Sequence, residues 1–213
     1  MNNILYSVLV VILALNLFAL GNRSILSVIR IIAAQGILLG ILPLILHEQI
    51  TIPQLIASLA AISLKGVIIP LIMTRALRDV KIKREVEPLL GFVPSIILGA
   101  LVTGMTFLLF NRLLVGSNGH ERMIIPASVT TVLVGFILLI TRYKAITQVM
   151  GYLVLENGIY IFSLLLVVAI PLVVEMGMLL DLFVSVFIIS IITNHINQAF
   201  SSLDTRRLTT LKE

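Results

Sequence analysis

Two carboxylates sit inside largely apolar sequence: Glu156 in Gly151-Tyr-Leu-Val-Leu-Glu156-Asn-Gly158, and Asp181 in Val174-Glu-Met-Gly-Met-Leu-Leu-Asp181. A charged side chain at membrane depth costs roughly 2.5–3.5 kcal/mol even on lenient insertion scales, so its presence implies an internal partner, a water-filled cavity or a function. Lys65, in Ser63-Leu-Lys65-Gly-Val-Ile-Ile-Pro70, lies too deep for an easy snorkel and is the natural charge partner or protonatable lysine. On a helix, Tyr152, Glu156 and Tyr160 recur at i, i+4 and i+8 and make one stripe, with Asn157 beside it. Burial near mid-depth disfavours the bare Glu156 anion unless a cation is close. A carboxyl group that can change its charge with its surroundings is what a proton relay requires. Glu156, Asp181 and Lys65 are therefore the relay candidates, with Tyr152, Asn157, Tyr160, Gln35 and Ser185 as supporting polar groups; Ser185 falls one turn below Asp181. Each also has a bland reading as a neutral or paired group that only fixes helix packing. Arg30 is shallower and reads as an interfacial anchor, and Glu175 as an outer-loop residue. His47, His120 and His195 stand at span ends without metal-ligand spacing.

The elements that position these groups follow from composition. Of 213 residues, 59% are hydrophobic and 12% charged, and the mean hydropathy is +1.16, far more apolar than a water-soluble surface permits. The fold class expected is an all-α integral membrane protein. Apolar stretches near 3–20, 26–46, 52–73, 89–111, 124–140, 147–172 and 176–196 give about seven transmembrane helices. Pro43, Pro70, Pro94 and Pro171 mark kinks or helix ends, and Ala100 with Gly104 forms a small-xxx-small pair suited to close helix packing. No basic n-region precedes the first apolar stretch, so no removable signal peptide is expected. Without cysteine there is no disulfide, no thiolate-bound cluster and no cysteine zinc site.

The net charge of +5 does not point to nucleic acid, because the cations gather in short alternating linkers. Arg23, the run Arg75, Arg78, Lys81, Lys83 and Arg84, the pair Arg142 and Lys144, and Arg206, Arg207 and Lys212 occupy one set; Arg112 and Arg122 occupy the other. The positive-inside rule then places the N-terminus outside and the C-terminus in the cytoplasm. Arg23 and Gln35 are twelve positions apart, as are Lys144 and Glu156, about 18 Å of helix in each case. This spacing suggests two related three-helix units joined by one crossing helix: 1–75, then 76–123 as basic loop, linker helix and outer loop, then 124–200, with a cytoplasmic tail over 201–213.

Lys65-Gly-Val-Ile-Ile-Pro-Leu-Ile-Met-Thr74, the stretches around Glu156 and Asp181, and the tail Ser202-Leu-Asp-Thr-Arg-Arg-Leu-Thr-Thr-Leu-Lys212 together resemble hydrogenase-4 membrane component E. The last three helices are also similar to the K subunit of complex I and the C subunit of Mrp-type antiporters. The resemblance implies a non-catalytic membrane subunit of a complex I-like nickel-iron hydrogenase, or formate hydrogenlyase, in a prokaryotic cytoplasmic membrane. In those subunits two glutamates are implicated in proton transfer, and the matching positions here hold Glu156 and Asp181, the latter one methylene shorter. Gln35 stands at the glutamate-like position of the first unit and cannot titrate. The implied partners are antiporter-like membrane subunits and the membrane anchor of the hydrogenase module. This chain would hold no cofactor, metal or catalytic residue, the nickel-iron and iron-sulfur centres residing in partner subunits. Other readings are a purely structural assembly subunit and a subunit of an Mrp-type cation/proton antiporter.

Overall fold

The computed structural model describes residues 2–46, 52–79, 89–114 and 119–166. All the regular elements among them are helical. They are α1 (Asn2–Gly21), α2 (Ile25–Leu46), α3 (Ile52–Ala61), a π-helical segment (Ile62–Ile68), α4 (Ile69–Asp79), α5 (Phe92–Leu113), α6 (Glu121–Thr141) and α7 (Ala145–Leu166). Because α3, the π segment and α4 run on as one span, the described residues contain six helices long and apolar enough to cross a membrane. These match the first six apolar stretches; the seventh, 176–196, lies outside the described residues, as do Asp181 and Ser185.

Three-residue links join α1 to α2 and α6 to α7, so each pair is an antiparallel hairpin. In the first link the side chain of Asn22 accepts a hydrogen bond from the Ser24 N–H at 3.0 Å, a local turn that competes with helix and ends α1. In the second, Arg142 adopts an extended backbone and Gln148 Nε2 donates to its carbonyl at 3.0 Å. The hairpins pack face to face, α1 against α6 and α2 against α7, while the third span leans on α2 and α5 leans on α1 and α6.

Close approach depends on missing side chains at a few points. A Cβ at Gly36 would lie 2.6 Å from the Lys65 carbonyl carbon, and one at Gly158 would lie 2.5 Å from the Val132 nitrogen. Such contacts between backbones carry helix association in lipid, where apolar burial gives no drive. Gly104, by contrast, has nothing within 4 Å of its would-be Cβ. The small-xxx-small pair of α5 thus points away from this bundle, and close approach of one backbone to another falls instead on α2 and on the α6–α7 hairpin.

Two apolar clusters fill the bundle. One, at the end carrying Arg23, Arg78 and Arg142, includes Leu20, Ile29, Met73, Leu138 and Met150. The other, at the opposite end, includes Leu9, Ile12, Leu42, Ile124 and Ile161. The buried polar side chains Asn16, Gln35, Thr131, Glu156 and Asn157 of α1, α2, α6 and α7 lie between them.

Candidate functional site

The third span is the one that departs from α-geometry. Pro70 lacks an N–H, and its ring crowds the carbonyl four residues back, that of Gly66. The backbone ahead of it widens into the π segment, and the Ile69 N–H donates to the Leu64 carbonyl, a five-residue step. Thr74 Oγ1 caps the carbonyl of Pro70 at 2.7 Å and steadies the turn that follows. Lys65 sits in the middle of this widened stretch. Single π turns inside α-helices are uncommon and recur at functional sites.

Lys65 Nζ lies 2.9 Å from Glu156 Oε1, with the two side chains 12% and 4% exposed. The ammonium also stands 5.1 Å from the centroid of the Tyr160 ring, one turn along α7. The expected stripe on α7 therefore faces the π segment through Glu156 and Tyr160, while Tyr152 is half-buried one turn earlier. In a low-dielectric slab two charges at this distance attract strongly, and the cost of desolvating them is offset only because they meet directly.

Asn157, next to Glu156 but turned toward α2, donates from Nδ2 to Gln35 Oε1 at 3.3 Å. Gln35 Nε2 donates to Asn16 Oδ1 at 2.8 Å and, more weakly, to the Ile12 carbonyl at 3.5 Å. Asn16 Nδ2 donates to Thr131 Oγ1 at 2.9 Å, and that hydroxyl donates to the Ala127 carbonyl at 2.8 Å. The result is a ladder of neutral groups through α7, α2, α1 and α6. Beyond it, the hydroxyls of Thr130 on α6 and Thr106 on α5 share a hydrogen bond.

The structure thus brings together Lys65, Glu156 and Tyr160 as one group and Gln35 with Asn157 as another. Arg30 is exposed on α2. Sequence alone gives Asn16, Thr131 and Arg142 no site role. Asn16 was legible as an amide alone in an apolar span and Thr131 as part of Ser128-Val-Thr-Thr131, but neither names its partner. Arg142 read as a linker cation, yet it is 2% exposed, with Nη2 donating to the Leu20 carbonyl at 2.7 Å and the guanidinium 5.3 Å from the Phe92 ring. Desolvation lowers its pKa from the usual value, though a guanidinium still stays charged. Among the described residues no three His, Asp or Glu side chains converge as metal ligands would.

No protein-family model matches the chain, and no solved structure matches it. An uncharacterized protein of Mycobacterium tuberculosis is 28% identical over 194 residues, covering 90% of this chain and 88% of that one. Hydrogenase-4 component E of Escherichia coli is 25% identical over 158 residues, 74% of this chain and 73% of that protein, and its Shigella flexneri counterpart matches to the same extent. The chain is therefore a multi-pass helical protein with distant similarity to a hydrogenase-4 component.

Proposed function

We propose that this chain is a non-catalytic membrane subunit of a complex I-like nickel-iron hydrogenase of the hydrogenase-4 type, and that Lys65 and Glu156 handle a proton in its ion-translocating or coupling path. Distant similarity over three quarters of the chain and six membrane-length helices support membership in such a membrane arm. The observation that carries the ion-handling role is the Lys65–Glu156 pair, 2.9 Å apart at mid-depth on a π-helical break. A lysine and a carboxylate in direct contact have two arrangements, a charged pair and a neutral pair, related by one proton moving between Nζ and Oε1. Which one prevails depends on the charge and water brought near them. Motion of the π segment, or a charge arriving in a neighbouring subunit, would shift that balance and let Glu156 take up or release a proton. Asp181 is proposed as a second carboxylate of the path, with Ser185, four positions on in sequence, as its supporting hydroxyl; the ion moved by the whole complex is a proton or sodium.

The proposed partners are antiporter-like membrane subunits and the anchor of the hydrogenase module, whose soluble subunits carry the nickel-iron and iron-sulfur centres. The proposed orientation in a prokaryotic cytoplasmic membrane is N-terminus outside, C-terminus inside, with the cation-rich ends of the helices on the cytoplasmic face. Related three-helix units remain part of this reading: the two hairpins have links of equal length, and Gln35 meets Asn157 where they touch.

A structural role is favoured by a different observation, the ladder that ties four helices together through neutral groups. The two roles separate experimentally. Mild-detergent purification through this chain should recover nickel-iron and iron-sulfur subunits with hydrogen-evolving activity; a lone homo-oligomer overturns membership in the complex, and antiporter-like subunits alone move it to an Mrp-type assembly. In the recovered complex, Glu156→Gln should leave hydrogen evolution and assembly intact and stop ion uptake.

A further inference from the structure

Arg142 is almost wholly buried, yet the protein satisfies only part of its guanidinium. Nη2 donates to the Leu20 carbonyl, whereas Nη1 is shut off from solvent and has no hydrogen-bond partner among the described residues. The Phe92 ring that faces Arg142 also faces the Arg23 guanidinium, 5.5 Å from its centroid, so one ring serves two cations. Beside Arg142 the bundle encloses a cavity of about 10 Å³, lined by Ala19, Val28, Leu138, Arg142, Thr147 and Met150. Only Arg142 and Thr147 bring polar side chains to it. Thr147, in the first turn of α7, donates its hydroxyl proton to the Lys144 carbonyl at 2.7 Å, which leaves the lone pairs of Oγ1 to accept.

We infer that this cavity is the binding site of one ordered water, which accepts a hydrogen bond from Arg142 Nη1 and donates one to Thr147 Oγ1. The volume is about that of a single water probe, and two polar partners are the fewest that hold a buried water. The polarity of the walls selects the ligand. A donor stands on one side and an acceptor on the other, and water can answer both. A halide would accept from Nη1 but face the lone pairs of Thr147, and it needs more room. A dry cavity would leave an N–H of a charged group unmet, a heavier penalty than for a neutral donor. The bridge joins the α6–α7 link to the first turn of α7, while Nη2 holds the end of α1. A single guanidinium thereby fastens three helices at one end of the bundle. The site is separate from the Lys65–Glu156 pair and does not depend on the ion-handling role.

The test is a density map of the purified protein, with whatever subunits accompany it, at a resolution that shows ordered waters, recorded in chloride and again in gluconate buffer. A peak within hydrogen-bond distance of both Nη1 and Thr147 Oγ1 is expected in both. No peak overturns the site, and a peak that requires chloride overturns it in favour of a halide. Thr147→Val, equal in shape but without the acceptor, should lose the peak, and Thr147→Ser should keep it. Retention of the peak in Thr147→Val overturns the bridge. Thermal melts give a second reading through a cycle of Thr147→Val with Arg142→Met. Both backgrounds lose the bond from Thr147 to Lys144, so the difference between them reports the bridge. Thr147→Val should lower the midpoint by roughly 2–4 °C more when Arg142 is present, the shift that loss of about one hydrogen bond gives a chain of this size. Equal losses in the two backgrounds overturn the proposal. Should Arg142→Met fail to fold, the maps of wild type, Thr147→Val and Thr147→Ser decide it alone.

Discussion

Lys65 and Arg142 are both cations drawn into the bundle, and they are held in opposite ways. Lys65 sits at mid-depth, on a widened stretch of helix, against a carboxylate 2.9 Å away. Arg142 closes one end of the bundle, where its Nη2 meets the Leu20 carbonyl at the C-terminal, partially negative end of α1 and its plane lies near Phe92 at the start of α5. The partner of Lys65 can take its proton; the partners of Arg142 cannot. An ammonium yields its proton when its surroundings change, whereas a guanidinium keeps its charge throughout and offers a rigid fork. The first site can change state, and the second is a permanent clamp on α1, α5 and the α6–α7 link. Depth alone therefore does not mark a buried charge as functional: what matters is whether its partner can exchange with it.

Several substitutions would sharpen or break this contrast. The largest effect is expected for Glu156→Ala, which strands Lys65 without an acceptor and should cost about 3–5 kcal/mol of stability, as removal of one member of a buried pair does. Unfolding in detergent should show most of that loss recovered in Glu156→Ala/Lys65→Met; equal instability of single and double variants would mean that the pair does not exist. Arg142→Ala should lose about 2–3 kcal/mol, from a charge-assisted hydrogen bond and a ring contact, while ion uptake per hydrogen in the surviving complex stays at the wild-type value. Loss of uptake with assembly intact would place Arg142 in the path and undo the distinction. Gly36→Val should cost about 1–3 kcal/mol by overpacking and, by pushing the π segment off α2, also reduce ion uptake. Gly104→Ala, with open space around it, should stay within about 0.5 kcal/mol in a thermal melt of the isolated chain.

That pair of glycines also shows where sequence runs out. Gly36-Ile-Leu-Leu-Gly40 and Ala100-Leu-Val-Thr-Gly104 present the same pattern, and nothing in either says which face meets a neighbour. The six described spans were legible because lipid admits only helices of apolar sequence long enough to cross it. The meeting of Lys65 with a carboxylate was foreseeable for a similar reason, since each is too costly at that depth without the other. Pro70 announced a break in the third span, but its conversion into a π segment also depends on how Gly36 and Gly66 let α2 approach. The partners of Asn16 and Thr131 are not legible in sequence because a lone amide or hydroxyl can be satisfied in many ways, and only the fold selects one. Arg142 reads in sequence as a linker cation, since burial at the end of a bundle leaves no mark on local composition.

Ion uptake per hydrogen evolved, measured in liposomes containing the purified complex with Glu156→Gln and, beside it, Glu156→Asp, tests the proton role of the Lys65–Glu156 pair most directly. Glu156→Gln should evolve hydrogen with no uptake, while Glu156→Asp, still titratable but one methylene shorter, should retain part of it. Wild-type uptake in Glu156→Gln would contradict the account and leave Lys65 and Glu156 as a structural pair.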